Sequence, residues 1–263
     1  MFPNKSQAIA VTLLFMATPL VVAQVLVHFG VRWRAGNSTI YIIISLISTY
    51  LILQFVLPKM GLRFVEIFHA NFNKWSVIVS LSILPIAFAM LGLQVLLSNI
   101  SIVVLYLFPG ADIYSESFDA LFSSGISGLL VICVVAPVVE EIIFRGVILR
   151  GLLSNYSKCD ALIASATLFS LMHLNPIQLI PTLIAGIVLG WLYIKSYSLW
   201  PSIIAHMLFN AIPFIAYQFK SDDYEASMEL TFLPIELQLL SIVFVVGAYF
   251  IVKYIFQKST VVS

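Results

Sequence analysis

The chain has 263 residues, 61% of them hydrophobic and 10% charged, with a mean hydropathy of +1.07 and a formal net charge of +1. A soluble domain carries about 25% charged residues, so a fold surrounded by water is excluded. The near-neutral balance also offers no basic surface for nucleic acid.

A membrane helix needs about 20 mostly apolar residues, and backbone groups in lipid must be paired within the segment. About eight candidate spans meet that length. They run at roughly 8–29, 38–57, 76–98, 122–150, 160–175, 177–195, 200–219 and 235–256. They are too long and too evenly apolar for an outer-membrane barrel. The expected fold class is therefore all-α, a polytopic membrane protein with one membrane domain over 1–263.

The first span follows Lys5 and passes the small residue Ala23. That pattern is shared with signal peptides, but the apolar run is longer than their core and no A-x-A site stands out, so a retained helix is expected. Between spans two and three, residues 60–75 mix apolar and basic side chains at helical spacing. They are expected to lie along the interface, with Trp75 as an anchor. Between spans three and four, Ser101 to Phe108 is apolar but too short to cross, and reads as a re-entrant or surface piece.

Nine of the thirteen Lys and Arg fall on the side of the N-terminus: Lys5, Lys59, Arg63, Lys74, Arg150, Lys158, Lys195, Lys253 and Lys258. Arg32, Arg34 and Lys220 fall on the other, with Asp112, Glu116, Asp119, Asp222, Asp223, Glu225 and Glu229. Cytoplasmic loops are enriched in Lys and Arg, so both termini are expected in the cytoplasm. A prokaryotic plasma membrane fits the small size and spare loops. Cys133 lies within a span and Cys159 in an expected cytoplasmic loop, so a disulfide between them is not expected.

Span four departs from the apolar pattern. It carries Glu140, Glu141 and Arg145. An ionisable side chain at membrane depth costs roughly 2.5–3.5 kcal/mol on insertion scales, so three need a compensating reason. Glu141 and Arg145 stand four apart with the glutamate first, the favourable order for a helical ion pair. That pair has an architectural reading and a catalytic one. Glu140 points elsewhere and has no local cation. Pro137 lies a turn upstream, removes a backbone bond beside the Cys133 carbonyl, and is expected to kink the helix.

Span five carries Phe169 and His173, span seven His206 and Asn210, each pair one turn apart. Alone, each histidine and the asparagine could be a hydrogen bond between helices. Gly186 and Gly190 in span six form a G-x-x-x-G, read as close helix packing. Depth unites the others. Glu140 and His173 each lie about 13 residues, roughly 20 Å, from the cytoplasmic ends of their spans. His206 and Asn210 lie roughly 9 and 15 Å in. One cluster in the middle or cytoplasmic half of the membrane is expected. The chain has four histidines; the other two, His28 and His69, read as interfacial and are left out.

A glutamate, two histidines and an asparagine at one depth suit hydrolysis. A carboxylate held away from bulk water can deprotonate a water for attack on a carbonyl. A histidine can position that water, and imidazole and amide donors can stabilise an oxyanion. Glu140, His173 and His206 are equally candidate metal ligands, since Glu and His bind zinc. No H-E-x-x-H is present.

E-E-I-I-F-R at 140–145, F-S-L-M-H at 169–173 and H-M-L-F-N at 206–210 resemble the E-E-x-x-x-R, F-x-x-x-H and H-x-x-x-N motifs of the CAAX-protease and bacteriocin-processing family, also called the Abi family. They occur in order on separate spans, and the resemblance covers roughly 122–215, the catalytic core it implies. It implies an intramembrane peptidase acting near the cytoplasmic side on a peptide or protein substrate, of the C-a-a-X type or in peptide maturation. Glu140 would be the base and His173 its partner. His206 and Asn210 would stabilise the oxyanion, with Glu141, Arg145 and Phe169 in support. Either no cofactor or one divalent metal such as zinc is implied. Partners are the substrate and the lipid bilayer; oligomeric state is open. Two alternatives stand. A non-enzymatic immunity or scaffold protein would keep its phenotype without Glu140 and His173. An ion-coupled transporter would show substrate-dependent proton flux, but no inverted repeat or paired broken helices support it.

Overall fold

The computed structural model describes residues 2–32, 37–68, 75–109, 115–219 and 232–260. It is helical, in the order α1 (Lys5–His28), α2 (Ser38–Met60), α3 (Phe64–Phe68), α4 (Trp75–Leu107), α5 (Ser115–Phe122), α6 (Ile126–Leu153), α7 (Lys158–Leu171), α8 (Pro176–Ser196), α9 (Leu199–Gln218) and α10 (Ile235–Thr260). Seven helices among the described residues are long and apolar enough to cross a membrane: α1, α2, α4, α6, α8, α9 and α10. Their outer faces carry apolar side chains such as Leu20, Leu84 and Val243, where a soluble helix would carry charge. The protein is a multi-pass integral membrane protein.

Polar caps start the helices. Asn4, Asn37, Ser157, Asn175 and Ser198 each accept a backbone N–H of the first turn through a side-chain oxygen. At α2 the end is equally local: Gly61 takes φ 67, a left-handed cap that L side chains resist.

The expected fifth span does not cross. α7 has 14 residues, about 21 Å at 1.5 Å per residue, against a hydrocarbon core of about 30 Å. The chain reverses at depth through Leu174, which takes φ 51, and Asn175 caps α8. His173 sits in this turn.

Ser101–Leu107 is not a separate piece but the last part of α4, which runs for 33 residues. Asn99, just beyond the expected end of span three, has a partner within the bundle. Asn99 brackets Leu233 ahead of α10, accepting its N–H at 2.8 Å and donating to its carbonyl at 3.4 Å. Of the expected interfacial stretch, Phe64–Phe68 is helical and His69 lies outside the described residues. Arg63 donates backbone and side-chain N–H groups to the Glu66 carboxylate, which holds that carboxyl below its usual range. Arg150 donates to the Glu66 carbonyl at 2.6 Å, tying α3 under α6.

Two apolar cores form. One joins α1, α2, α3, the second half of α6, α7, the end of α8 and the start of α9; the other joins α4, α8, α9 and α10. They meet along α7 and α8, at the two glycines. A Cβ on Gly186 would sit 3.2 Å from both Cα and Cβ of Ala166 and from the Phe169 ring, and one on Gly190 would strike the Leu162 side chain. The G-x-x-x-G is a packing device, as expected. Gly186→Leu is expected to destabilise the fold by about 1–3 kcal/mol through overpacking. A lowered melting temperature in detergent would show it; an unchanged one would mean that α7 and α8 can part freely.

Candidate active site

The site lies where the two cores meet, built on α6, α7, α8 and α9. In α6, Leu130–Val135 and Ile142–Leu149 wind as π-helix, so the segment between them, Ala136–Glu141, is set by a wider turn on each side. Such turns are frequent at functional sites. Pro137 has a visible consequence here. The Ala136 N–H donates to the Val131 carbonyl, five residues back. The next donor in that register would be residue 137, which as proline has no N–H. The Ile132 carbonyl it would have served accepts instead from Asn210 Nδ2 at 3.0 Å. The missing N–H of Pro137 and the asparagine on a distant span are thus one feature.

Glu141 and Arg145 pair as their spacing predicts. Arg145 donates from Nη1 to Glu141 Oε1 at 2.6 Å and from Nη2 to the Gly186 carbonyl at 3.0 Å. The two side chains are 0% and 1% exposed. His206 Nδ1 lies 2.9 Å from the same Glu141 oxygen. A carboxylate in an ion pair only accepts, so Nδ1 carries the proton and Nε2 is turned to the other side. On that side stands Glu140, whose Oε2 is 3.7 Å from Nε2 and whose side chain keeps 16% exposure. One imidazole thus bridges a sealed glutamate and an open one.

Phe169 is the hub of the packing. Its ring is 5.2 Å from Phe144, 5.0 Å from His173 and 5.6 Å from His206, all edge-to-face, and the Arg145 guanidinium lies 4.5 Å from its centre. Edge-to-face and cation–π geometries are each favourable, and together they fix both histidines against the arginine. His173 Nδ1 is 2.8 Å from the Phe169 carbonyl. Since a carbonyl only accepts, that nitrogen donates and Nε2 is an acceptor.

Glu140, His173, His206 and Asn210 all line one cavity of about 540 Å³. The four residues expected to be catalytic are therefore brought together, with Phe169 also on the wall and Arg145 behind it. Asn210 spends one amide N–H on Ile132 and has a second to give. The opposite wall was not anticipated. Gln94, Ser98 and Ser101 of α4 face the cavity with Gln178 and Thr182 of α8. The signal in the residues is the helical spacing of 94, 98 and 101, but 101 lies beyond the expected end of span three at 98, and none of the three is charged.

Glu140, His173 and His206, the candidate metal ligands, line the cavity together. Catalytic zinc takes three protein ligands. Among the described residues no three His, Cys, Asp or Glu side chains converge as such a set. His206 and His173 each hold Nδ1 against a protein oxygen, which leaves Nε2 of both rings uncommitted. The steps below pass through no metal.

A family model described as Type II CAAX prenyl endopeptidase Rce1-like matches residues 122–212. The Bacillus subtilis (strain 168) protein named "Putative membrane peptidase YdiL" is 29% identical over 82 residues, which is 31% of this chain and 34% of that protein. The chain thus matches about a third of the length of this curated relative. No solved structure matches. The matched segment contains all three motifs, so residues 122–212 are similar to the CAAX-protease family by motif and by family model alike.

Proposed function

We propose that the chain is a membrane-embedded endopeptidase in which Glu140 activates the attacking water. One observation carries this reading. Of the two adjacent glutamates, Glu141 is sealed at 0% exposure, while Glu140 keeps 16% and faces a cavity large enough for a peptide bond and water.

The geometry supports one set of roles. Glu140 takes a proton from water, whose oxygen bonds to the substrate carbonyl carbon. His173, with Nδ1 held by backbone, offers Nε2 as acceptor to the same water. The oxygen of the tetrahedral intermediate meets the free Asn210 N–H and, when protonated, His206 Nε2. The C–N bond then breaks, the amine leaves with the proton passed from Glu140, and a new carboxyl end remains. Glu141 and Arg145 do not touch substrate; they hold His206 and the α6–α8 contact in register.

The test is cleavage of a peptide panel by purified protein in detergent or liposomes, with and without chelator, comparing the native chain with Glu140→Gln. The similarity to prenyl endopeptidases makes C-a-a-X peptides one arm of that panel and unmodified peptides the other.

A further inference from the structure

The cavity runs from Glu140 toward one end of the bundle only. Six helices contribute walls, α4 to α9, and the four long ones among them, α4, α6, α8 and α9, do so mainly with the half nearer that end. α6 gives Val131, Ile132, Ala136 and Glu140, all N-terminal to the ion pair. α8 contributes from Ile177 to Ala185 near its start, α9 from His206 to Tyr217 near its end, and α4 from Gln94 to Ser101 near its end. The cavity reaches the exposed Asp119 of α5. This is the end where Ser38 meets Ser124, Ser123 meets Tyr217, and Gln218 donates to the Phe122 carbonyl. In the other direction Glu140 is sealed. Ile143, Phe144, Val147, Ile148, Leu149 and Leu152 are all 0% exposed.

The sealed end is the basic one. There the Lys5 ammonium lies over Tyr156, Lys59 over Phe2, and Arg150 holds α3 beside Arg63. Lys158 and Lys195 line one groove at the same end. Among the described residues at the open end the basic side chains are Arg32 and His28. The Lys and Arg of short loops mark the cytoplasmic face. A cytoplasm-facing site is expected from the depth of Glu140 counted along its span, a count that carries no information on which way the cavity opens.

We infer that the substrate reaches Glu140 from the extracytoplasmic side, as a peptide segment on or beyond the outer leaflet. This rests on the peptidase reading for its substrate, and on the cavity and the charge distribution for its direction. The far wall suits an extended backbone. Gln94 Oε1 is buried without a hydrogen-bond partner, a free acceptor for a peptide N–H, beside the hydroxyls of Ser98 and Ser101.

Thiol labelling with a membrane-impermeant maleimide tests it on the full chain in whole cells. Native Cys159 is exposed at the basic end and Cys133 is buried, so Cys159 is the reporter for the cytoplasmic face. Ser98→Cys and Gln178→Cys, each with Cys159→Ser, report the cavity from two different helices. The expected result is that both cavity thiols label equally in intact and permeabilised cells, while Cys159 in the native chain labels only after permeabilisation. Cavity thiols that label only after permeabilisation, or not at all, overturn the inference, as does a native Cys159 that labels in intact cells. The outcome is independent of cleavage, so loss of the peptidase reading through Glu140→Gln and loss of the direction are separate results.

Discussion

Glu140→Gln is expected to lower peptide cleavage by about 10²–10⁴-fold, the usual contribution of a general base, with little change in folding or insertion. Glutamine keeps the size of the side chain but cannot take a proton. Nothing buried is broken by the exchange, since the nearest partner of Glu140, His206 Nε2, is 3.7 Å away, beyond hydrogen-bond length. The neighbouring glutamate makes the contrast. Glu141→Gln removes the negative charge that both Arg145 and His206 meet, at 2.6 and 2.9 Å, leaves Arg145 as an uncompensated buried cation, and so lowers stability and activity together. Initial cleavage rates and melting curves on the two variants separate the roles. A Glu140→Gln protein that cleaves at the native rate would sink the assignment of the base.

Arg145→Met is expected to be the most destabilising single change in the site, by about 3–5 kcal/mol, because it leaves an uncompensated charge in the interior. Glu141 is 0% exposed and, among the described residues, has no other cation on it than Arg145 and, when protonated, His206. The methionine also forfeits the bond to the Gly186 carbonyl, which loses a link between α6 and α8. Arg145→Lys should recover part of the loss, since one ammonium can reach the carboxylate but lacks the planar fork that serves two acceptors at once. The double variant Glu141→Gln with Arg145→Met should be less destabilised than the sum of the two singles, because removing both charges leaves neither unpaired. Equilibrium unfolding in mixed detergent micelles reads all four proteins. An Arg145→Met protein as stable as the native chain would mean that Glu141 is held neutral rather than paired.

Several features were legible in the residues alone, each because it is local. The ion pair follows from a four-residue spacing on a helix. The close approach of α7 and α8 follows from Gly186 and Gly190. The depth of Glu140, Asn210 and both histidines follows from rise per residue counted from basic span ends. Elsewhere local arguments misled. Ser101 to Phe108 reads as a separate short piece, yet through Leu107 it continues a helix of 33 residues in which Ser98 and Ser101 face a cavity and Asn99 holds a partner segment. The stretch 160–175 is apolar enough to cross, yet it turns back at Leu174.

By itself the sequence determined the solvent, the helices, the ion pair and the set of side chains that share a depth, because hydropathy, caps and helical spacing act over a few residues. Only the tertiary structure decided that His206 bridges the two glutamates, that Asn210 answers the carbonyl left bare by Pro137, and that the cavity opens at the end remote from the basic loops. Each of these depends on how spans far apart in the chain are rotated and packed, and neither a helix's period nor its charge records which neighbour its polar face will meet.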